Sequence, residues 1–246
     1  MTESLEPRKI SLATLGAALG QGLADYRAML LPCLVYSLVF SLAGLMLFLI
    51  LEAAKVAPIS LSLAGGFLLI GPALLAGFFG LAAARDVGRP AQLRDILAGF
   101  RQAPAGLWGL TLICGLMFLI WMTDAATVYA FVVGQYPVGF GELLPPVESV
   151  RRFVLFSSLM GLALALILFA ASAFSVPLLI DRDPGIVAAV VASARAVWRN
   201  LGVMLAWALI LAVLVMGAAW FLPLLPLTLP VCALAGRRLY QQVFPR

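Results

Sequence analysis

The stretch Leu201–Gly236, LGVMLAWALILAVLVMGAAWFLPLLPLTLPVCALAG, decides the fold. It runs 36 residues without a charge. One bilayer crossing takes about 20 apolar residues at roughly 1.5 Å each. The stretch therefore reads as two spans, Leu201–Leu222 and Pro223–Tyr240, with Pro223, Pro226 and Pro230 crowding the second. Membrane helices accept proline where neighbours re-satisfy the backbone. Four more uncharged runs precede it: Met29–Leu51, Ile59–Ala84, Ala105–Thr123 and Phe153–Ile180, of 23, 26, 19 and 28 residues. Each is long enough for one helix. Six spans return the chain to the side on which it began.

The composition agrees. Hydrophobic residues are 64% of the chain, charged residues 11%, and the mean hydropathy is +1.10, whereas a soluble domain has about a quarter of its residues charged. The polar residues 1–9 precede a run too long for a signal-peptide core, so no cleavable leader is expected. The net charge of +5 has a topological reading. With six spans, thirteen basic residues fall on the side of the termini and three (Lys55, Arg151 and Arg152) on the other. Basic residues flanking spans stay in the cytoplasm. Both termini are therefore expected there, with Lys55 and Pro145 outside, and nucleic acid is not an expected partner. The bias of 14 Arg to 2 Lys points to a bacterial source, hence the inner membrane.

Each segment before spans one, three and five carries an amphipathic stretch. Leu12, Leu15, Leu19, Leu23 and Tyr26 recur near the helical period. So do Leu93, Ile96, Leu97 and Phe100, with Arg94, Asp95 and Arg101 off that face. In the third, Ile186, Val187, Val190, Val191, Val197 and Trp198 form a broad face, and Asp183-Pro184 is expected to cap and open the helix. All three end in an aromatic residue followed by Arg: Tyr26-Arg27, Phe100-Arg101 and Trp198-Arg199. The aromatic is expected at headgroup level, with the arginine pinning the bend. The fold class is thus all-α: a single membrane domain (1–246) of about six spans in three hairpins, each preceded by a cytoplasmic interfacial helix. Three repeats are expected at 10–84, 85–181 and 182–240.

Chemistry-bearing residues are few. Histidine is absent, which removes most zinc sites, His-ligated haem and the usual triads. Cys33, Cys114 and Cys232 sit singly in separate runs and read as core residues. No catalytic residue, metal site or cofactor is expected. The candidate structural or interaction corners are Arg85, Asp86 and Arg101, then Asp181, Arg182, Asp183 and Arg199. At the second corner Arg182 is expected to lie between two carboxylates. Asp124 is the charge nearest a hydrocarbon core. An intramembrane acid marks a proton or cation site by default, but 19 uncharged residues precede this one, which places it at the outer interface. Gly65, Gly66, Gly71 and Pro72 either break span two, as in transporters, or permit close packing, as does Gly161 on span four.

Two stretches, GGFLLIGPALLAGFFG at 65–80 and SVPLLIDRDPGIVAAVVASARAVWRNLGVMLAWALIL at 175–211, resemble a bacterial inner-membrane family annotated only as a domain of unknown function. The resemblance spans about residues 8–245 and implies a six-helix membrane protein. The helix-then-hairpin pattern is also similar to the membrane domain of some glycerophosphodiester phosphodiesterases, whose catalytic barrel has no counterpart in this chain. The chain departs from the family pattern at Ala83-Ala84-Arg85-Asp86, where the family has a Ser, an Arg pair and a Glu, and at Asp124. The expected function is that of a non-enzymatic accessory, structural or assembly subunit. Its expected partners are the lipid bilayer and a larger inner-membrane complex, for example a respiratory one, or a second copy of itself. The alternative is a small-solute or lipid transporter.

Overall fold

Helix is the form in which a chain this apolar can satisfy its backbone without water, and among the described residues ten α-helices follow one another. They are α1 (Leu12–Ala28), α2 (Leu30–Ala54), α3 (Ile59–Asp86), α4 (Leu93–Arg101) and α5 (Ala105–Val132). Then come α6 (Glu148–Ser172), α7 (Ser175–Arg182), α8 (Ile186–Arg199), α9 (Leu201–Trp220) and α10 (Leu225–Val243). The computed structural model describes residues 5–134, 137–142 and 148–245; Pro145 lies outside them. Among the described residues, five segments are long and apolar enough to cross a membrane: Leu30–Ala54, Ala105–Val132, Glu148–Arg182, Leu201–Ala218 and Leu222–Val243. The remaining predicted span is α3, 28 residues long. It is continuous through Pro72, so its glycines do not break it.

Helix α3 is the hub, touching α2, α4, α5, α6, α7, α9 and α10. Of the three short amphipathic helices, α4 lies on the preceding α3 and α8 on the preceding α6 and α7, while α1 packs on the last helix, α10. Small residues make these approaches possible. A Cβ added to Gly22 would stand 2.6 Å from the Ala235 backbone nitrogen. One on Gly80 would collide with the Asp95 carbonyl, and one on Gly99 with the Ala76 carbonyl. At α8 the small residue is Ser193. The predicted fourth span is two helices, parted at Ala173-Phe174. Ser193 Oγ accepts the Phe174 N–H at 3.0 Å and donates to the Ala170 carbonyl at 2.9 Å. One side chain thus satisfies the break.

This packing corrects several sequence expectations. The face that α8 buries is Ala189, Ala192, Ser193, Ala196 and Val197, while Val187, Val191 and Trp198 are exposed. Close approach selects the small residues and leaves the bulky ones for lipid. In α4, Asp95 turns inward and Leu97 outward. The three aromatic–Arg pairs do not share one environment: Tyr26 is buried, Phe100 half-buried and Trp198 exposed. Asp183 does not cap α8. It ends α7 in the left-handed region (φ 43°), and Gly185 is the cap residue of α8.

The larger apolar core unites the ends of the spans nearest α1, α4 and α8, around Phe78, Leu81, Leu178, Leu179, Met204 and Leu239. We call this end, which carries both termini, the terminal face. The opposite end has a smaller core of Tyr129, Val133, Val138, Val150 and Phe153. There the segment after α5 folds onto the α2–α3 turn. The Val138 N–H donates to the Lys55 carbonyl at 2.8 Å, the Ala57 N–H to the Val138 carbonyl at 3.0 Å, and Phe140 stacks on Phe48 at 4.2 Å.

Candidate functional site

The contact of α1 with α10 sets the position of a buried carboxylate. Gly22 meets Ala235, and one helical turn further along each helix Asp25 comes under Arg238. Arg238 Nε donates to Asp25 Oδ2 at 2.6 Å, and Arg85 Nε lies 3.2 Å from Oδ1. Asp25 is only 6% exposed. It fastens α1, α3 and α10 together.

The neighbouring residues extend this clamp. Arg237 Nη2 donates to Asp86 Oδ2 at 2.5 Å, so the adjacent pairs Arg85-Asp86 and Arg237-Arg238 interlock through Asp25. Tyr240 O–H donates to Asp181 Oδ2 at 3.0 Å. Arg182 Nη2 donates to the carbonyls of Phe244 (2.8 Å) and Pro245 (3.1 Å). Arg182 therefore holds the end of the chain, a role its two flanking aspartates did not indicate. The last two turns of α10 gather the ends of α3 and α7. Between them lies a polar cavity of about 160 Å³ lined by Asp86, Asp181, Arg237, Tyr240, Gln241 and Phe244.

Two further fasteners lie on the same face. Asn200, buried at the α8–α9 corner, accepts the Ile10 N–H at 2.9 Å and donates to the Arg8 carbonyl at 3.1 Å, while the Arg8 N–H donates to the Val243 carbonyl. This pins the N-terminal segment across the corner. Arg89 donates through both Nη atoms to Asp95 at 2.7 and 3.0 Å, and Asp95 also accepts the Gln92 N–H. The Arg89 guanidinium, with the Gln92 N–H beside it, holds the Asp95 carboxyl below its usual range.

Of the residues singled out from sequence, Arg85, Asp86, Asp181 and Arg182 come together in this cluster. Asp183 is exposed beside it. Arg101 and Arg199 are exposed in the last turns of α4 and α8, where a cation complements the helix dipole. Among the described residues neither has an ion-pair partner. Asp124 is exposed on α5 beside Thr123 and Thr127, whose hydroxyls donate to carbonyls of their own helix. Sequence reasoning missed Asp25, Asp95, Arg237, Arg238 and Tyr240 as site residues. The available signal was an acid beside an apolar helical face: Asp25 next to Tyr26, and Asp95 next to Ile96.

Deeper in the spans, several hydroxyls find partners on their own helix or on a neighbouring one. Ser62 and Ser157 share a hydrogen bond of 2.7 Å between α3 and α6. Ser41, Thr111, Ser172 and Thr228 return their hydroxyls to their own helices. Cys33, Cys114 and Cys232 are buried free thiols. Among the described residues no three potential metal ligands are grouped.

No curated protein and no solved structure matches the chain. The likeness to a phosphodiesterase membrane domain rests on the helix-then-hairpin pattern alone. A family described as predicted integral membrane protein (DUF2189) does match, over residues 59–181. That range runs from the start of α3 through Asp181, and so covers the 65–80 stretch and only the beginning of the 175–211 stretch. It amounts to half of the chain, and the protein belongs to this family of predicted integral membrane proteins.

Proposed function

We propose that the protein is a non-enzymatic accessory or assembly subunit of the bacterial inner membrane, with its terminal face in the cytoplasm. The observation that carries this reading is how the terminal-face charges are used. Asp25, Arg85, Asp86, Asp181, Arg182, Arg237 and Arg238 all bind other helices or the chain end. A catalytic or transport carboxylate needs access to its substrate and a change of protonation or partner. These groups serve as fasteners. The association surface is the face of α2 that bears Leu38, Val39, Leu42, Leu45, Met46 and Leu49, all at least 45% exposed. The three repeats (10–84, 85–181 and 182–240) fit this reading, since each supplies one interfacial helix to the fastened face.

Site-specific photocrosslinking from Val39, Leu42 and Met46 in native membranes is the test. We expect a discrete adduct with another membrane protein or a second copy, and no solute flux from the purified protein in vesicles. Asp124-dependent uptake of a solute would overturn the reading in favour of transport. Topology is checked with an impermeant thiol reagent. Cysteine at Lys55 should label from outside and cysteine at Gln242 should not; the reverse would overturn the orientation.

A further inference from the structure

The end of the molecule opposite the terminal face is loosely filled. A cavity of about 200 Å³ opens there between α2, α3, α9 and α10, walled by Phe40, Leu47, Phe48, Leu63, Val215 and Leu225. Among the described residues that line it, Ser60 is the one with a polar side chain. A buried water needs two to four polar partners, and a lining this apolar favours an apolar occupant over water. It exceeds the roughly 150 Å³ of an apolar cavity able to take up benzene. It is too small for another helix, whose diameter with side chains is about 10 Å. A slender apolar chain is what fits.

The rim carries a matched pair of charges. Phe140 forms part of the wall, stacks on Phe48, and donates its N–H to Glu52 Oε2 at 2.8 Å. Glu52 is also in contact with Lys55. The two side chains are 36% and 49% exposed. A Cβ on Gly139 would come 3.0 Å from Glu52 Oε1 and from Lys55 Nζ, so a glycine leaves the pair its seat. Lys55 itself stands in the left-handed region at φ 55°, which fixes it at the turn. Beside an apolar slot, then, lies one accessible ammonium and one accessible carboxylate.

We infer that this cavity binds one acyl chain of a phospholipid with a zwitterionic headgroup. The phosphate engages Lys55, which has three N–H donors, and the headgroup ammonium engages Glu52. An anionic headgroup would meet the same lysine but would bring no ammonium of its own to Glu52. The inference deepens the accessory reading by naming a lipid. It is separable from it, because the lipid site is read without any protein partner.

The test places the purified protein in vesicles of an uncharged digalactosyl diacylglycerol doped with a phosphatidylethanolamine or a phosphatidylglycerol, each bearing a photoactivatable acyl chain. Labelled peptides are then mapped. We expect label in residues 40–64 and 215–225, stronger with the zwitterionic probe. Ala43→Phe together with Ala64→Phe should fill the slot and lower that label about tenfold, the loss from displacing roughly two buried methylenes. Leu162→Phe on the exposed face of α6 should not lower it. Glu52→Gln with Lys55→Gln should keep the label but abolish the headgroup preference. Unfolding in detergent checks that each variant remains folded. Label spread evenly over all exposed span faces, insensitivity to the filling variant, or preference for the anionic probe would each overturn the site. Failure of the photocrosslinks from α2 to a protein, with this label intact, would overturn the accessory reading and leave the lipid site standing.

Discussion

Replacing Asp25 by Asn should loosen the terminal face, and the size of the effect follows from the geometry. The carboxylate is 6% exposed and receives guanidinium groups from two other helices, at 2.6 Å from Arg238 and 3.2 Å from Arg85. Stripping one partner from a fully buried pair costs about 3–5 kcal/mol, because a buried charge is left behind. Here the arginine side chains are 24% and 40% exposed and can regain water. The discounted expectation is therefore about 1.5–3 kcal/mol. The measurement is reversible unfolding in mixed micelles, run for the wild type, Asp25→Asn, Arg238→Gln and the double variant. Residues in direct contact should show a coupling of about 1 kcal/mol or more, so that the double variant loses less than the sum of the singles. A loss below about 0.5 kcal/mol for Asp25→Asn would place it among ordinary surface changes. That result would refute the clamp, and with it the argument that these charges serve as fasteners.

Four other outcomes are expected. Gly99→Val should destabilise by about 1–3 kcal/mol or more in the same unfolding assay, because its Cβ meets the Ala76 carbonyl and α4 must lift from α3. Ser193→Ala should cost about 1–3 kcal/mol by orphaning the buried Phe174 N–H, and hydrogen exchange should speed up at Phe174 first. The Asp95–Arg89 contact should depend on pH with a definite sign. The folded carboxyl titrates below its ordinary value of 3.8, so its contribution is complete above that value and is lost as pH falls through the folded value. The stability gap between wild type and Asp95→Asn should accordingly persist at about pH 6 and shrink as pH falls below 3.8. Finally, Asp124→Asn should change stability by less than about 0.5 kcal/mol and leave vesicle permeability unchanged.

The spans were legible because hydropathy is a property of each segment and its solvent. A run such as Ile59–Ala84 is apolar wherever it lies, and it becomes α3. The same holds for the division of Leu201–Gly236 into two helices and for the three amphipathic stretches, all of which form. Which side chains meet is a different question. It depends on how each helix is rotated and how closely it approaches its neighbours. Asp25 and Arg238 are 213 residues apart in the chain and come together because Gly22 lets α1 reach the backbone of α10. The aromatic–Arg pairs look alike in sequence, yet Tyr26 is buried and Trp198 faces outward, since close packing turned the small residues of α8 inward. The break at Ala173-Phe174 is invisible in a 28-residue apolar run, because the group that satisfies it, Ser193, comes from another helix. Sequence alone determined the all-α membrane class and the places of the long apolar helices, since the bilayer acts on each segment separately. The tertiary structure decided the clamp, the polar pocket and the apolar slot, because each is made of residues that only helix-to-helix contact brings within reach.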